Sequence, residues 1–269
     1  MESIIKNKKI YLTDIILITN IVVFLISLAI KYISGSDTLL LLGAKINYKI
    51  ANYELYRLVT PMLLHGSFTH ILFNSIALLS FGRSIEENLG KKRFFLIYLT
   101  AGIFGSIGSF MFDDSISIGA SGGIFGLVGA YFYISAFYPD DIKKSIRKNM
   151  LVIVLINVWY GTTNPQIDNF AHGFGLISGF IAAWAYGYPN QIKMQIKNRI
   201  AQLVLILGFM FFIFVSIPSY QSKANYYIYN IVDSYNDKNY EKTTKLIMEA
   251  SEKFPHNETI IKFKNSFLK

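Results

Sequence analysis

The chain has 269 residues, 52% of them hydrophobic, and a mean hydropathy of +0.38, high for a water-soluble protein. That length suits one membrane bundle with a small appendage. The chain holds no cysteine, which excludes disulfides, thiolate metal sites and cysteine nucleophiles. Its formal charge of +9 falls mostly in short basic clusters between apolar runs, with no basic–aromatic groove of the kind that binds nucleic acid.

The apolar runs predict seven spans in chain order: Leu12–Ser34, Ser67–Phe81, Phe94–Phe112, Ala120–Tyr138, Met150–Tyr160, Phe170–Tyr186 and Ile200–Ile217. Ser27-Leu28-Ala29 resembles a signal-peptide cleavage site, but the first run is long enough to cross a bilayer and such runs recur, so it reads as a retained helix. The second and fifth runs are short. Gly35 to Leu64 is a long first loop that mixes apolar Leu39–Leu42 with Tyr53, Tyr56 and Arg57, a pattern expected to lie at the membrane interface.

Alternate connections are basic: Lys6, Lys8 and Lys9; Arg83, Lys91, Lys92 and Arg93; Lys143, Lys144, Arg147 and Lys148; Lys193, Lys197 and Arg199. The connections around Asp113–Ser117 and Gly161–Asn169 carry no Lys or Arg. This asymmetry predicts a multi-pass protein of the cell membrane with its N-terminus cytoplasmic and its C-terminus outside. The long first loop, with Lys45, Lys49 and Arg57, is an exception with sparse charge.

In that orientation the second, fourth and sixth spans all enter from the outer side. His70, Asn74, Ser121 and His172 then share a depth of roughly 5–10 Å, one to two turns of helix at 1.5 Å per residue. Polar groups held at one depth in hydrocarbon mark a functional site. Ser121 and His172 each stand at the mouth of a glycine-flanked span. Gly119 and Gly122 bracket the serine, while Gly122–Gly126 and Gly175–Gly179 are small-xxx-small pairs able to seat two helices closely. A serine hydroxyl becomes a nucleophile when a neighbouring base takes its proton, and histidine suits that task near neutral pH. His70 and Asn74, four residues apart, share a helix face and can donate hydrogen bonds to an oxyanion. Asp168, one turn before His172, is open to two readings, a third triad member or the cap of the sixth helix. Gly119-Ala120-Ser121-Gly122-Gly123 also fits the nucleophile-elbow pattern, but an apolar helix and no strand surrounds it. No metal motif is present: His65 and His70 are five apart and share no helical face.

After residue 222 the material changes. Ile228, Ile231, Val232 and Tyr235, then Ile247, Ala250 and Phe254, keep helical spacing about a turn at Asp237-Lys238-Asn239, and Pro255 ends the second helix. Asn239-Tyr240-Glu241-Lys242 and Phe254-Pro255-His256-Asn257 resemble a tetratricopeptide pair. One such pair cannot bury its face alone and needs the membrane domain, another copy or a partner.

From Leu55 to Tyr186 the chain resembles the rhomboid intramembrane serine proteases. Tyr56-Arg57 stands where that family has Trp-Arg. His65-Gly66-Ser67-Phe68-Thr69-His70 with Asn74 matches its second span, and Gly82, Glu86 and Gly90 keep its G-xxx-E-xxx-G spacing. Gly119-Ala120-Ser121-Gly122 matches the serine motif, and Ala171-His172-Gly173-Phe174-Gly175 with Gly179 the histidine motif. The resemblance implies an all-α rhomboid-like bundle, a Ser121–His172 dyad without a catalytic aspartate, and oxyanion stabilisation by His70, Asn74 and the Ser121 amide. It also implies no cofactor and cleavage of transmembrane protein substrates near the outer face of the bilayer. Tyr56 departs from the family's Trp, and Phe125 stands where some members have Tyr, so no hydroxyl is available there.

The expected organisation is 1–54, N-terminal segment, first span and start of the first outer loop; 55–190, protease core; 191–221, seventh span; and 222–269, a tetratricopeptide-like tail with a possible protein partner. A polar cavity open to the outside is expected, with substrate entering past the short fifth span. A non-catalytic adaptor that binds transmembrane helices and recruits partners through the tail is the alternative. A solute path is disfavoured because the polar groups sit at the outer end rather than the midplane.

Overall fold

The computed structural model describes residues 10–35, 38–187 and 195–267, the side chains of 195–197 excepted. Lys6, Lys8, Lys9 and Lys193, part of the charge pattern, lie outside the described residues. The described chain is all-α, with one isolated bridge between Lys45 and Ser117. It forms two compact units: Met1–Lys45 with Leu55–Phe209, and Ile46–Glu54 with Met210–Lys269. These divisions differ from the expected boundaries, because part of the first outer loop joins the C-terminal unit and the second junction falls within the seventh span.

In the first unit, α1 (Leu12–Ser34) matches its apolar run end for end. Its own N-cap, Tyr11, supplies no side-chain bond. Glu86 takes that role from a distance, accepting from Leu12 N at 2.8 Å and from Thr13 N and Oγ1 at 2.9 Å. A buried carboxylate there satisfies amides that the helix cannot, at the positive end of its dipole. The short α2 (Thr38–Leu41) follows, then α3 (Asn47–Ala51), which belongs to the other unit. Two 3₁₀ turns, Leu55–Leu58 and Thr60–Leu63, lead to α4 (Phe68–Ala77). The Ser67 hydroxyl caps α4 by accepting from His70 N.

The second span is longer than its apolar run: α4 continues through a π-helical turn, Leu78–Gly82, into α5 (Arg83–Leu89). Then come α6 (Lys91–Phe112), α7 (Ser121–Ile134), α8 (Asp140–Thr163), α9 (Asn169–Tyr186) and α10 (Gln195–Phe211). The fifth span is the apolar part of a longer helix. Helix α8 has 24 residues, because the helix begins at Asp140 and Asp141, which suit its N-terminus, and carries its lysines in its first turns. Its apolar part is as short as expected, and the rest of its length is the charged N-terminal end.

Among the described residues three helices are long and apolar enough to cross a membrane: Leu12–Ser34, Lys91–Phe112 and Asn198–Gln221. The other expected spans are shorter, or are diluted by charge, glycine and histidine. The chain is a multi-pass membrane protein.

Small residues bring α6, α7 and α9 into backbone contact. A Cβ added to Gly175 would lie 2.3 Å from Gly122 O, and one on Gly179 2.2 Å from Gly126 Cα. A Cβ on Gly129, a glycine outside the two small-xxx-small pairs, would meet Leu176 O at 2.0 Å. On the α6 side, Gly105 faces the Ala171 carbonyl and Gly108 lies under the Phe174 ring. Without a hydrophobic drive between helices in lipid, such close backbone approach supplies the packing. The apolar core gathers Leu78, Ile85, Phe94 and Ile97 with Leu127 of α7 and Ala182 of α9, the last two C-terminal to Ser121 and His172 on their helices.

In the second unit, α11 (Ile217–Gln221) follows a π-helical segment, Phe212–Ser216, that precedes Pro218. Proline lacks the amide a regular helix needs. Then α12 (Ala224–Asn236), α13 (Tyr240–Lys253) and α14 (Glu258–Phe267) enclose Tyr227, Ile231, Ile247, Ala250 and Ile260. The third helix goes beyond the expected pair; Asn257 starts it by accepting from the amides of Thr259 and Ile260. The cover this helix set requires comes from Ile46–Glu54. In α3, Tyr48 stacks on Tyr229 at 5.4 Å, and Lys49 pairs with Asp233 at 3.3 Å. Just beyond it, Asn52 donates to Asn230 at 2.6 Å, and Gln221 donates to Ala51 O at 2.6 Å.

Candidate active site

Ser121 is the first residue of α7 and His172 lies in the first turn of α9. Their neighbours Gly122 and Ala171 are in close backbone approach. Phe125, one turn after Ser121 and on the same face of α7, stacks on the His172 ring with centroids 4.2 Å apart and planes at 13°. The histidine ring thereby lies flat on a residue one turn beyond the serine. No hydrogen bond joins Ser121 Oγ to His172 among the described residues, and His172 Nδ1 is buried without a partner. Catalytic hydrogen bonds are often long before substrate binds.

His70 reaches the same place from α4. A Cβ on Gly119 would lie 2.6 Å from His70 Nε2 and 3.8 Å from Ser121 Oγ, so the space beside the serine is filled by the histidine ring. Gly119 also has φ +123°, a conformation that side-chain-bearing residues rarely adopt. Asn74 is buried and uses one amide hydrogen to bond His70 O at 3.0 Å. Its amide nitrogen carries a second hydrogen besides that one. His65 is buried with its ring edge against His70, centroids 5.0 Å apart. Asp168 caps α9, its Oδ1 accepting from Ala171 N at 2.8 Å, while Oδ2 has no partner. The aspartate therefore bonds its own helix and not the His172 ring.

The loop after α1 organises the chain that leads into Ser121. Arg57 is buried and donates to the carbonyls of Leu40 and Ala44, at 3.1 and 2.8 Å, with its guanidinium beside the Tyr56 ring at 5.3 Å. Pro61 O accepts from Gly119 N at 2.8 Å. Lys45, fully buried, donates from Nζ to Asp113 O at 2.6 Å and Ser115 O at 3.0 Å. Burial pushes its pKa down to about 8, against the opposing charges of Asp168, Asp113 and Asp114. By sequence Lys45 counts only as sparse loop charge. Its position as a lone lysine between apolar Leu39–Ala44 and Ile46 is the one signal that could have singled it out.

A cavity of about 70 Å³ lies beside His172, lined by Phe125, Val154, Val158, Asn169, His172, Gly173 and Leu176. It opens between α8 and α9 and is mainly apolar. A larger apolar groove along Gly129, Phe132, Leu176, Ile177 and Phe180 has no group able to do chemistry. No cluster of three or more metal-ligating side chains occurs among the described residues.

Fold and site together define a polytopic helical membrane protein with a serine and two histidines gathered at the N-terminal ends of its packed helices. The rhomboid domain model matches residues 52–189, and the chain belongs to the rhomboid family. Rhomboid protease GluP of Bacillus subtilis (strain 168) is 40% identical over 223 residues, 82% of this chain and 43% of GluP. YdcA of the same organism is 40% identical over 140 residues, 51% of this chain and 70% of YdcA. RHOMBOID-like protein 5 of Arabidopsis thaliana is 32% identical over 164 residues, 57% of this chain and 53% of that protein. The chain thus spans less than half the length of GluP.

Proposed function

We propose that this protein is an intramembrane serine endopeptidase that cleaves transmembrane proteins near the outer face of the bilayer. The observation that carries the reading is the stack of Phe125, one turn after Ser121 on α7, on the His172 ring of α9, across a backbone-close helix contact. Ser121 Oγ attacks the peptide carbonyl carbon as His172 takes the hydroxyl proton. The resulting oxyanion is met by His70, the free amide hydrogen of Asn74 and the Ser121 N–H. The C–N bond breaks as His172 returns the proton to the leaving amine. Water then attacks the acyl ester carbon and gives a proton to His172; the C–Oγ bond breaks as His172 passes that proton to Ser121 Oγ, and the released carboxylic acid ionises in solvent.

The apolar cavity between α8 and α9 supports entry of an apolar substrate segment at that side. The basic residues of α5, of the start of α6 and of the first turns of α8, against the uncharged Gly161–Gln166, support a cytoplasmic N-terminus and an external C-terminus. The tail is read as a tetratricopeptide-like pair, α12 and α13, closed by α14 and able to meet a protein partner.

A fluorophosphonate probe tests the mechanism in detergent-purified protein. Labelling is expected in the wild type and absent in Ser121→Ala and His172→Ala, with reporter cleavage lost in parallel. Undiminished cleavage by Ser121→Ala overturns the reading.

A further inference from the structure

The segment Asp113–Ala120 is the only covalent approach to Ser121 from α6, and it contains no regular helix. Its register fixes where α7 begins, and so where Ser121 Oγ stands. Such a segment needs its backbone groups satisfied from outside itself. Lys45 does this at three residues. Its Nζ donates to the Asp113 and Ser115 carbonyls, and its backbone pairs with Ser117 in both directions, Lys45 N to Ser117 O at 3.0 Å and Ser117 N to Lys45 O at 3.2 Å. Two residues on, the Gly119 amide is held by Pro61 O. The segment is thus pinned at alternate residues, 113, 115, 117 and 119, the first three by one side chain and its own backbone.

Burying an ammonium is costly, and this one is 0% exposed with no carboxylate oxygen among its hydrogen-bond acceptors. Asp113, Asp114 and Asp168 lie near enough to favour its charge. A buried cation spent on two carbonyls of an irregular loop is an expensive anchor for surface chain, and it stands directly upstream of the nucleophile.

We propose that Lys45 is a positioning residue for the proposed proteolytic reaction: by tying Asp113, Ser115 and Ser117 to the first outer loop, it sets the register of the segment that presents Ser121. The inference rests on the protease reading above. A nucleophile displaced by about 1 Å can lose about 10²-fold in rate. Lys45→Met, which keeps the apolar stem and removes the donors, is expected to lower kcat and fluorophosphonate labelling by about that factor with KM within about twofold. Hydrogen exchange supplies a readout that general destabilisation would not reproduce. Amides of Ser117 and Gly119 are expected to exchange faster in Lys45→Met, while those of α4 keep wild-type protection. Lys45→Arg, which retains a cation and donors, is expected to recover most of the labelling.

Wild-type labelling and loop exchange in Lys45→Met overturn the inference while leaving the protease reading intact. Equal acceleration of exchange in α4 and in the loop also overturns it, since the lysine would then serve the fold as a whole. A wild-type protein that neither labels nor cleaves defeats the protease reading instead. Should Lys45→Met not purify folded, Lys45→Gln, whose head group is too short to span both carbonyls, is measured in its place, and the same outcomes support or overturn the inference.

Discussion

The contact between α7 and α9 and the contact between α12 and α13 solve one problem with opposite materials. In the membrane bundle, Gly122, Gly126, Gly175 and Gly179 remove side chains so that backbones touch. In the C-terminal unit, Tyr227, Ile231, Ile247 and Ile260 interlock as large side chains. Lipid is as apolar as leucine, so burying leucine between spans gains little and close approach gains more. Water rewards the removal of apolar surface directly, so the tail fills its interior with bulk. Added volume should therefore harm the first contact most, and removed volume the second.

The largest effect should come from Gly179→Leu. Its new side chain meets Gly126 backbone at once, so α7 and α9 must part, and cleavage is expected to fall at least about 10²-fold, read with a transmembrane reporter. Wild-type cleavage would show that the close contact is dispensable. Next, Ile247→Ala, at a site with no exposure, should cost about 2–5 kcal/mol within the C-terminal unit. Loss of exchange protection in α12–α14 with reporter cleavage kept would sharpen the contrast, and equal loss of cleavage would break it. Phe125→Ala removes the ring stacked on His172. An aromatic pair contributes about 0.5–1.5 kcal/mol beyond its buried area, so labelling should fall by up to about tenfold with the fold retained.

The smallest effect concerns pH. The folded pKa of Lys45, about 8, lies below its ordinary 10.5. Between those values the unfolded chain holds the extra proton, so stability from this group rises as pH climbs from about 8 to about 10.5. Thermal unfolding in detergent across that range should show the slope in wild type and lose it in Lys45→Met.

Much of this arrangement is legible in the sequence because it is local. The run Leu12–Ser34 is uniformly apolar, and the helix matches it. The glycine pairs on α7 and α9 sit at four-residue spacing, which names the touching faces. What cannot be read there depends on residues distant in the chain. Glu86 caps α1 from more than seventy residues away, and no local pattern identifies its partner. Lys45 resembles solvated loop charge because its carbonyl partners lie near residue 115. The apolar run of α8 is shorter than the helix because hydropathy falls where its lysines begin, although the backbone stays helical. The cover of the tail is hidden because Ile46–Glu54 is separated from it by the whole bundle sequence.

That last separation bears on biosynthesis. Ala51 accepts its bond from Gln221, 170 positions later, and ribosomes add about 5–20 residues per second. A nascent chain therefore leaves the α3 turn without its companions for roughly 10–30 s. During that interval Tyr48 lacks the Tyr229 ring it stacks on and Ile50 lacks its cover, so the α3 turn reaches its folded surroundings only after the whole intervening bundle has been synthesised.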